Sequence, residues 1–304
     1  MIEISVLILT KNGGRLFQSC LEAVCAQAHT GKTEVIVIDS GSTDGTLQVV
    51  NHFPVRLERI PPESFHHART RNFGATLASG EILVFLSQDA IPRSDRWLKN
   101  MVANFNDPMV GAVYGRQLPK PGSSLERQDV LDAMYGETKI VKNPASPNGA
   151  GYRFYHFSDA NSAIRRSVWE VTRFPEDLKI FEDLGIAKRI LDAGWKIVYE
   201  PGACVFHSHH HTTKGLFKRY FDIGYTLKRL QIWDAPGTRA SLLRDGSKFL
   251  ANKLQRIKGK GDRGPAGAAI GQHIAKSAGL LLGLHEALLP SALKRHLSAQ
   301  GVDE

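Results

Sequence analysis

The residues best suited to chemistry are two aspartates that stand just beyond apolar runs of the chain. Asp39 follows the apolar run 35–38, and Asp89 follows the run 82–86 with Ser87 and Gln88 between them. A carboxylate there could accept a hydrogen bond from a pyrimidine ring or a ribose hydroxyl. It could also help to hold a divalent cation that neutralises phosphate. Either aspartate alone is weak evidence for such a site.

Polar and cationic side chains at other turns fit the same kind of ligand. Thr10 and Asn12 follow the first apolar run, and Ser40 stands at the next turn. Where a helix begins beside such residues, its backbone N–H groups can hold a phosphate. Arg71 lies in a helical pattern, and its planar guanidinium suits diphosphate oxygens. The alternatives are ordinary turns for the first group and a solvated helix face for Arg71.

Two adjacent carboxylates, Glu182 and Asp183, open a predicted helix whose apolar residues recur at helical spacing. Alone, the pair is best explained as negative charge placed at a helix N-terminus, where it is favourable. Each negative charge in such a pair modestly raises the pKa of the other carboxyl group.

A group of four histidines, His207, His209, His210 and His211, follows the apolar run 203–206. Clustered imidazoles are typical of transition-metal sites. Closely spaced loop histidines are also often merely solvated, so the cluster by itself leaves both interpretations open.

These residues can act together only if the fold brings their turns to one place. The apolar runs 4–9, 35–38 and 82–86 are typical of strands buried on both faces, and helical patterns separate them. This alternation predicts an α/β fold with a doubly wound, mostly parallel sheet. Ligands bind such sheets beyond the carboxyl ends of the strands, and the polar turns stand there.

Composition narrows the class of protein and its partners. The chain has 304 residues, of which 42% are hydrophobic and 23% charged, and this balance argues against disorder as the main state. Its formal net charge of +9 indicates anionic partners, which could be phosphorylated ligands, nucleic acid or acidic lipid. The apolar stretch 278–290 is too short to span a bilayer, so we expect a protein that does not cross the membrane.

The segment 214–229 interleaves lysines and arginines with aromatic residues. This pattern is compatible with three structures: a nucleic-acid-binding surface, an amphipathic helix on an anionic bilayer, or a charged helix packed on the rest of the protein.

Taken in order, residues 38–46, residues 71–75 and Asp89 resemble the family 2 glycosyltransferases. The resemblance spans residues 1 to about 230 and implies a GT-A domain over 1–230, with residues 231–304 as a basic amphipathic helical extension. Residues 67–72, 85–90 and 113–117 are most similar to the rhamnosyltransferase-like branch of the family.

The resemblance also implies roles for individual residues. Asp183 corresponds to the catalytic base, with Glu182 as its neighbour in the family's Glu-Asp pair. Asp89 corresponds to the metal-binding end of an Asp-x-Asp motif, whose first position is Ser87 here, and His207 is the best match to a histidine that meets the metal. The implied cofactor is Mg²⁺ or Mn²⁺. The implied nucleotide-sugar-binding residues are Thr10, Asn12, Asp39, Ser40, Arg71, Gln88 and Asp89.

The resulting prediction is an inverting glycosyltransferase of bacterial surface polysaccharide assembly, with L-rhamnose from dTDP-rhamnose as the first choice of donor. Its expected acceptor is a lipid-linked sugar or an oligosaccharide, and its expected place is the cytoplasmic face of the cell membrane. This prediction favours an anionic membrane surface over nucleic acid as the partner of segment 214–229. The alternatives are a UDP-hexose-dependent enzyme of the same family and a non-catalytic nucleotide- or nucleic-acid-binding protein.

Overall fold

The computed structural model describes residues 3–28, 31–123, 131, 134–145, 151–178, 180–208, 212–259 and 264–299. The elements of the first half are β1 (Ile4–Thr10), α1 (Gly14–Cys25), β2 (Thr33–Asp39), α2 (Thr46–Val50), β3 (Arg56–Arg59), α3 (His67–Leu77), β4 (Ile82–Ser87), β5 (Ile91–Pro92), α4 (Trp97–Val102), β6 (Val110–Leu118) and β7 (Ile140–Lys142).

The second half contains α5 (Tyr152–Tyr155), β8 (Asn161–Arg165), α6 (Arg166–Thr172), α7 (Glu182–Asp192), β9 (Lys196–Phe206), α8 (Thr213–Arg229), α9 (Thr238–Gly259), α10 (Gly264–Leu284) and α11 (Ser291–Leu297). Short 3₁₀ turns lie at Pro62–Ser64, Ala103–Asn106 and Glu286–Leu288.

The chain divides into two compact units. The first comprises Met1–Ser146, Phe157–Glu176 and Glu182–Ser208, and the second comprises Pro147–His156, Asp177–Phe181 and His209–Glu304. Helix α8, which the sequence analysis places in the GT-A domain, is grouped with the second unit. The domain boundary at residue 230 stays a prediction.

The strands described in the first unit form a single sheet in the order β3-β2-β1-β4-β8-β6-β9-β5, with β7 also paired to β9. Strands β1 to β4 run parallel, as the alternating pattern predicts. Strand β8 runs antiparallel to both β4 and β6, so the sheet is mixed. Val6 and Leu7 lie on opposite faces of β1, and both are completely buried, because α1 covers one face of these central strands and α3 the other.

Several strand ends converge at one edge of this sheet. The register places Thr10 beside Asp39 and Leu86 beside Asn161, and the ends of β6 and β9 pair in parallel next to them. Because β8 is antiparallel, it begins at the edge where its neighbours end. Residues just before β8 therefore join those just after the parallel strands.

The second unit is helical, and its helices α8 and α10 pack with their backbones very close together. A Cβ atom on Gly279 would collide with the carbonyl oxygen of Phe217, and one on Gly283 would collide with that of Phe221. Phe221 is completely buried in this contact. At least one aromatic side chain of segment 214–229 therefore packs between the helices of this unit and is not available to contact a membrane. No helix in the described part of the chain is both long enough and apolar enough to cross a membrane.

Candidate active site

Side chains tie together the turns that follow β1, β2 and β4. Gln88 Oε1 accepts hydrogen bonds from the Thr10 hydroxyl at 2.7 Å and from the Lys11 N–H at 3.1 Å. Asn12 Oδ1 accepts from the Thr43 N–H at 2.8 Å. Asn12 itself has a φ of 49°, in the left-handed region. Thr10 and Gln88 are thus hydrogen-bonded to each other, and Asn12, two residues beyond Thr10, is hydrogen-bonded to the turn after β2.

Asp39 is completely buried, and its carboxylate organises the turn after β2. Its oxygens accept the backbone N–H groups of Gly41 at 3.0 Å and Ser42 at 3.1 Å. Ser40 N–H donates to the carbonyl of Thr10 at 3.0 Å, which joins this turn to the one after β1. These N–H groups compensate the burial of a charged side chain. The predicted contacts of Asp39 and Ser40 with a nucleotide stay predictions.

Arg71 lies at the centre of a buried cluster of charges. Its Nε is 2.9 Å from Asp159 Oδ2 and its Nη1 is 2.7 Å from Glu182 Oε1. Nη1 also donates to the carbonyl of His67 at 3.2 Å. The guanidinium therefore positions two carboxylates in this structure, and its predicted contact with a diphosphate stays a prediction.

The two members of the Glu-Asp pair have different environments. Glu182 is buried and bonded to Arg71, whereas Asp183 is half-buried. Asp183 Oδ1 accepts the N–H of Leu184 at 2.7 Å, which fixes the side chain at the start of α7. Phe181, just before the pair, has a φ of 61°, a strained backbone conformation of the kind that clusters at functional sites. The geometry gives Glu182 a structural partner and leaves Asp183 closer to solvent.

Burial and the charges of this cluster shift the pKa values of Asp183, Asp159 and His67. Burial raises the pKa of Asp183, and the nearby charges of Asp159 and Glu182 raise it further. Burial also raises the pKa of Asp159, although Arg71 opposes the shift. The pKa of His67 is lowered to about 4 by burial and by Arg71, so this imidazole is neutral at pH 7. Arg71 pairs directly with two of the three carboxyl groups, Asp159 and Glu182. The raised pKa of Asp183 makes its carboxylate a stronger proton acceptor than that of an ordinary aspartate.

Asp89 and His207 come together at the ends of β4 and β9. His207 Nε2 lies 3.4 Å from Asp89 Oδ1. His207 Nδ1 lies 2.8 Å from Gln117 Oε1, while Gln117 Nε2 donates to Tyr135 and Ser158. With the glutamine oriented this way, its Oε1 accepts a hydrogen bond from Nδ1–H of His207, and Nε2 is the ring nitrogen that faces Asp89. A metal-binding histidine is commonly oriented in this way, with its other ring nitrogen donating to a fixed acceptor.

The donor atoms at this place fit a hard divalent cation. Over the described ranges, no group of three or more histidine, cysteine or acidic residues is arranged to hold a metal. Magnesium and manganese do not need such a cage, because they keep water ligands and use phosphate oxygens of the substrate. One carboxylate and one imidazole are consistent with that mode of binding. His209, His210 and His211 lie outside the described residues.

Sequence reasoning missed three residues of these clusters: Asp159, Gln117 and Lys120. Asp159 stands before β8, whereas the pattern of apolar runs points to carboxylates that follow strands. Lys120 follows the end of β6, and its Nζ is 2.7 Å from Asp89 Oδ2. A search for polar residues beyond every strand end would have found Lys120. Finding Asp159 required the knowledge that β8 is antiparallel.

A family model described as Glycosyl transferase family 2 matches residues 5–172. The chain belongs to this family. The O-antigen chain rhamnosyltransferase RfbN of Salmonella typhimurium is 35% identical over 226 residues, covering 73% of this chain and 72% of that protein. The O-antigen chain rhamnosyltransferase WbaN of Salmonella anatum is 36% identical over 194 residues, covering 63% of this chain and 62% of that protein.

Solved structures agree with the fold. Mannosyltransferase PcManGT from Pyrobaculum calidifontis, in complex with GDP-Man and Mn²⁺, superposes with a TM-score of 0.63 at 19% identity, covering 93% of this chain and 87% of that one. S. aureus TarS 1-349 in complex with UDP-GlcNAc gives a TM-score of 0.59 at 18% identity, covering 84% and 72%. The predicted GT-A-type fold and the predicted glycosyltransferase class of this family 2 enzyme are confirmed.

Proposed function

We propose that this family 2 enzyme transfers L-rhamnose from dTDP-rhamnose, with inversion, to a saccharide hydroxyl during assembly of a bacterial surface polysaccharide. The sequence identity of 35% and 36% with two O-antigen chain rhamnosyltransferases supports L-rhamnose as the transferred sugar. The half-buried Asp183 beside Arg71 and Asp159 supports the inverting reaction and is the observation that carries the mechanism. A UDP-hexose donor is the alternative.

In the proposed step, an acceptor hydroxyl oxygen forms a bond to the anomeric carbon while the bond from that carbon to the diphosphate oxygen breaks. Attack from the face opposite the phosphate inverts the anomeric centre. The hydroxyl proton passes to the Asp183 carboxylate, and the electron pair of the broken bond leaves with the nucleoside diphosphate. The raised pKa of Asp183 suits this role, because a more basic carboxylate takes the proton more readily.

The donor would lie along the turns after β1, β2 and β4. Asn12, Ser40 and Asp39 would bind the nucleoside end, and Gln88 and Asp89 the diphosphate end. Asp89 and His207 would hold Mg²⁺ or Mn²⁺ together with phosphate oxygens and water. When bound, the cation supplies positive charge that stabilises the departing diphosphate.

A panel of nucleotide sugars tests the donor. Thermal unfolding is measured with dTDP-rhamnose, UDP-hexoses and GDP-mannose, each with Mn²⁺ and with a chelator. At a hundred times its dissociation constant, the true donor should add about 2.7 kcal/mol to the free energy of unfolding. Stabilisation by a UDP-hexose and not by dTDP-rhamnose would replace rhamnose with the alternative. Donor hydrolysis without acceptor then tests whether the bound compound reacts.

For a lipid-linked acceptor, we propose that the enzyme binds the inner face of the cell membrane through one face of α10. Ile270, Ile274 and Leu281 project from this face and are 43%, 61% and 55% exposed. Arg219 and Lys228 of helix α8 are also exposed and would contribute attraction to anionic lipid. This surface differs from the one expected from segment 214–229, whose Phe221 packs on α10.

A further inference from the structure

Lys120 forms an ion pair with Asp89, the carboxylate that would bind the divalent cation in the proposed function. Its Nζ lies 2.7 Å from Asp89 Oδ2, and the two side chains are only 18% and 16% exposed. The backbone around Lys120 is fixed, since its own N–H donates to Ser208 Oγ at 3.2 Å and His207 N–H donates to the carbonyl of Leu118 at 2.9 Å. The ammonium group is therefore placed on Asp89 by the ends of both β6 and β9.

This ion pair sets the ammonium in competition with a divalent cation. A short hydrogen bond between charged groups is among the strong polar contacts of a protein, and poor access to solvent strengthens it further. A cation bound between Asp89 and His207 would lie close to the Lys120 ammonium and be repelled by it. The cation must therefore displace Lys120 or share the carboxylate with it.

A bound diphosphate changes this balance, because it gives the ammonium another anionic partner. The lysine side chain is a flexible four-carbon stem that carries a compact charge, so it can turn from one anion to another. We propose that Lys120 makes cation and donor binding cooperative: it holds Asp89 while the donor is absent and moves to the diphosphate when the donor binds. This inference rests on the cation site of the proposed function.

Binding of Mn²⁺ measures the effect directly, without activity. The electron paramagnetic resonance signal of free Mn²⁺ is titrated with enzyme, alone and with dTDP, and corrected for Mn²⁺ bound by dTDP in solution. Lys120→Met keeps the stem and removes the charge. It should tighten Mn²⁺ binding without dTDP on the order of tenfold, from the strength of the charge-assisted hydrogen bond that is lost. The additional tightening by dTDP should shrink correspondingly.

Three further variants make the result specific. Lys120→Arg keeps the positive charge and should bind Mn²⁺ as weakly as the wild type. Lys196→Met is the matched control, and it should change nothing. Lys196 begins β9, at the opposite end of that strand from His207, and its Nζ lies 2.9 Å from Asp107 Oδ2. Asp89→Asn should weaken Mn²⁺ binding in every background.

The outcomes separate the two proposals. If Asp89→Asn weakens Mn²⁺ binding and Lys120→Met leaves it at the wild-type level, the cooperative role of Lys120 is overturned and the cation site stands. If Asp89→Asn binds Mn²⁺ as the wild type does, the cation site itself fails, and the role of Lys120 fails with it. Unfolding of Lys120→Met, checked by circular dichroism, leaves the decision to Lys120→Arg: tighter Mn²⁺ binding in that variant overturns the role of the charge.

Discussion

The sharpest test of the reaction is Asp183→Asn. Asparagine keeps an oxygen at the Oδ1 position, so it can still accept the Leu184 N–H that fixes the side chain at the start of α7. The change removes a negative charge that Asp159 and Glu182 repel. We therefore expect the melting temperature at pH 7 to be equal to that of the wild type or higher.

Turnover should fall severely in this stable variant. Loss of a general base slows a reaction by roughly 100- to 10,000-fold, which corresponds to about 2.7 to 5.4 kcal/mol in the activation barrier. The assay measures nucleoside diphosphate release under saturating donor and acceptor, together with the dissociation constant of the donor. Donor affinity should stay within about threefold of the wild-type value, since the base acts on the acceptor.

Glu182→Gln is the matched control, because it removes the neighbouring carboxylate. Glu182 accepts a hydrogen bond from Arg71 Nη1 at 2.7 Å in a buried place. Glutamine can still accept this hydrogen bond but lacks the negative charge that balances the buried Arg71. The replacement should therefore lower the free energy of unfolding by about 1–3 kcal/mol, the range for a buried polar group left incompletely satisfied. The structure thus predicts opposite signatures: loss of turnover with stability kept for Asp183, and loss of stability for Glu182.

The dependence of kcat/KM on pH is a second test of Asp183 as the general base. Asp183 acts only when deprotonated, so kcat/KM should rise with pH through the raised pKa of this carboxyl group. The acidic limb should therefore lie above pH 4, where an ordinary aspartate titrates. Turnover of Asp183→Asn within threefold of the wild type, or an acidic limb near pH 4, would refute the assignment of Asp183 as a base in this environment.

Three further predictions concern the surroundings of the site and the second unit. Asp159→Asn removes a charge that raises the pKa of Asp183, so the acidic limb of kcat/KM should move to lower pH; an unmoved limb contradicts the coupling. Asp89→Ala should weaken donor binding in Mn²⁺ and much less in a chelator, and equal wild-type affinity under both conditions contradicts a metal bridge. Ile274→Glu should release the enzyme from anionic liposomes in sedimentation, whereas Leu243→Glu, at a 71% exposed leucine of α9, should not. Equal wild-type binding to neutral and anionic liposomes would contradict the role of charge.

The sequence was sufficient to predict which residues meet at the ends of the parallel strands. Thr10, Asp39 and Asp89 each stand at or just beyond the end of an apolar run, and each run is a strand of the parallel part of the sheet. Parallel strands end at the same edge, so chain order alone predicts that their last residues meet. The local pattern at Glu182 and Asp183 likewise predicted a helix that begins with two acids, and α7 begins there.

Partners across the sheet could not be predicted in this way. Asp159 reaches Arg71 because β8 is antiparallel and starts where β4 ends. Lys120 reaches Asp89 because β4 and β6 both pair antiparallel with β8 and therefore end at the same edge of the sheet. The direction and order of strands depend on pairings between residues far apart in the chain, and short-range periodicity carries no information about them. Sequence therefore determined which residues could do the chemistry, and only the tertiary structure decided which charges face them, because strand pairing brings those charges into contact.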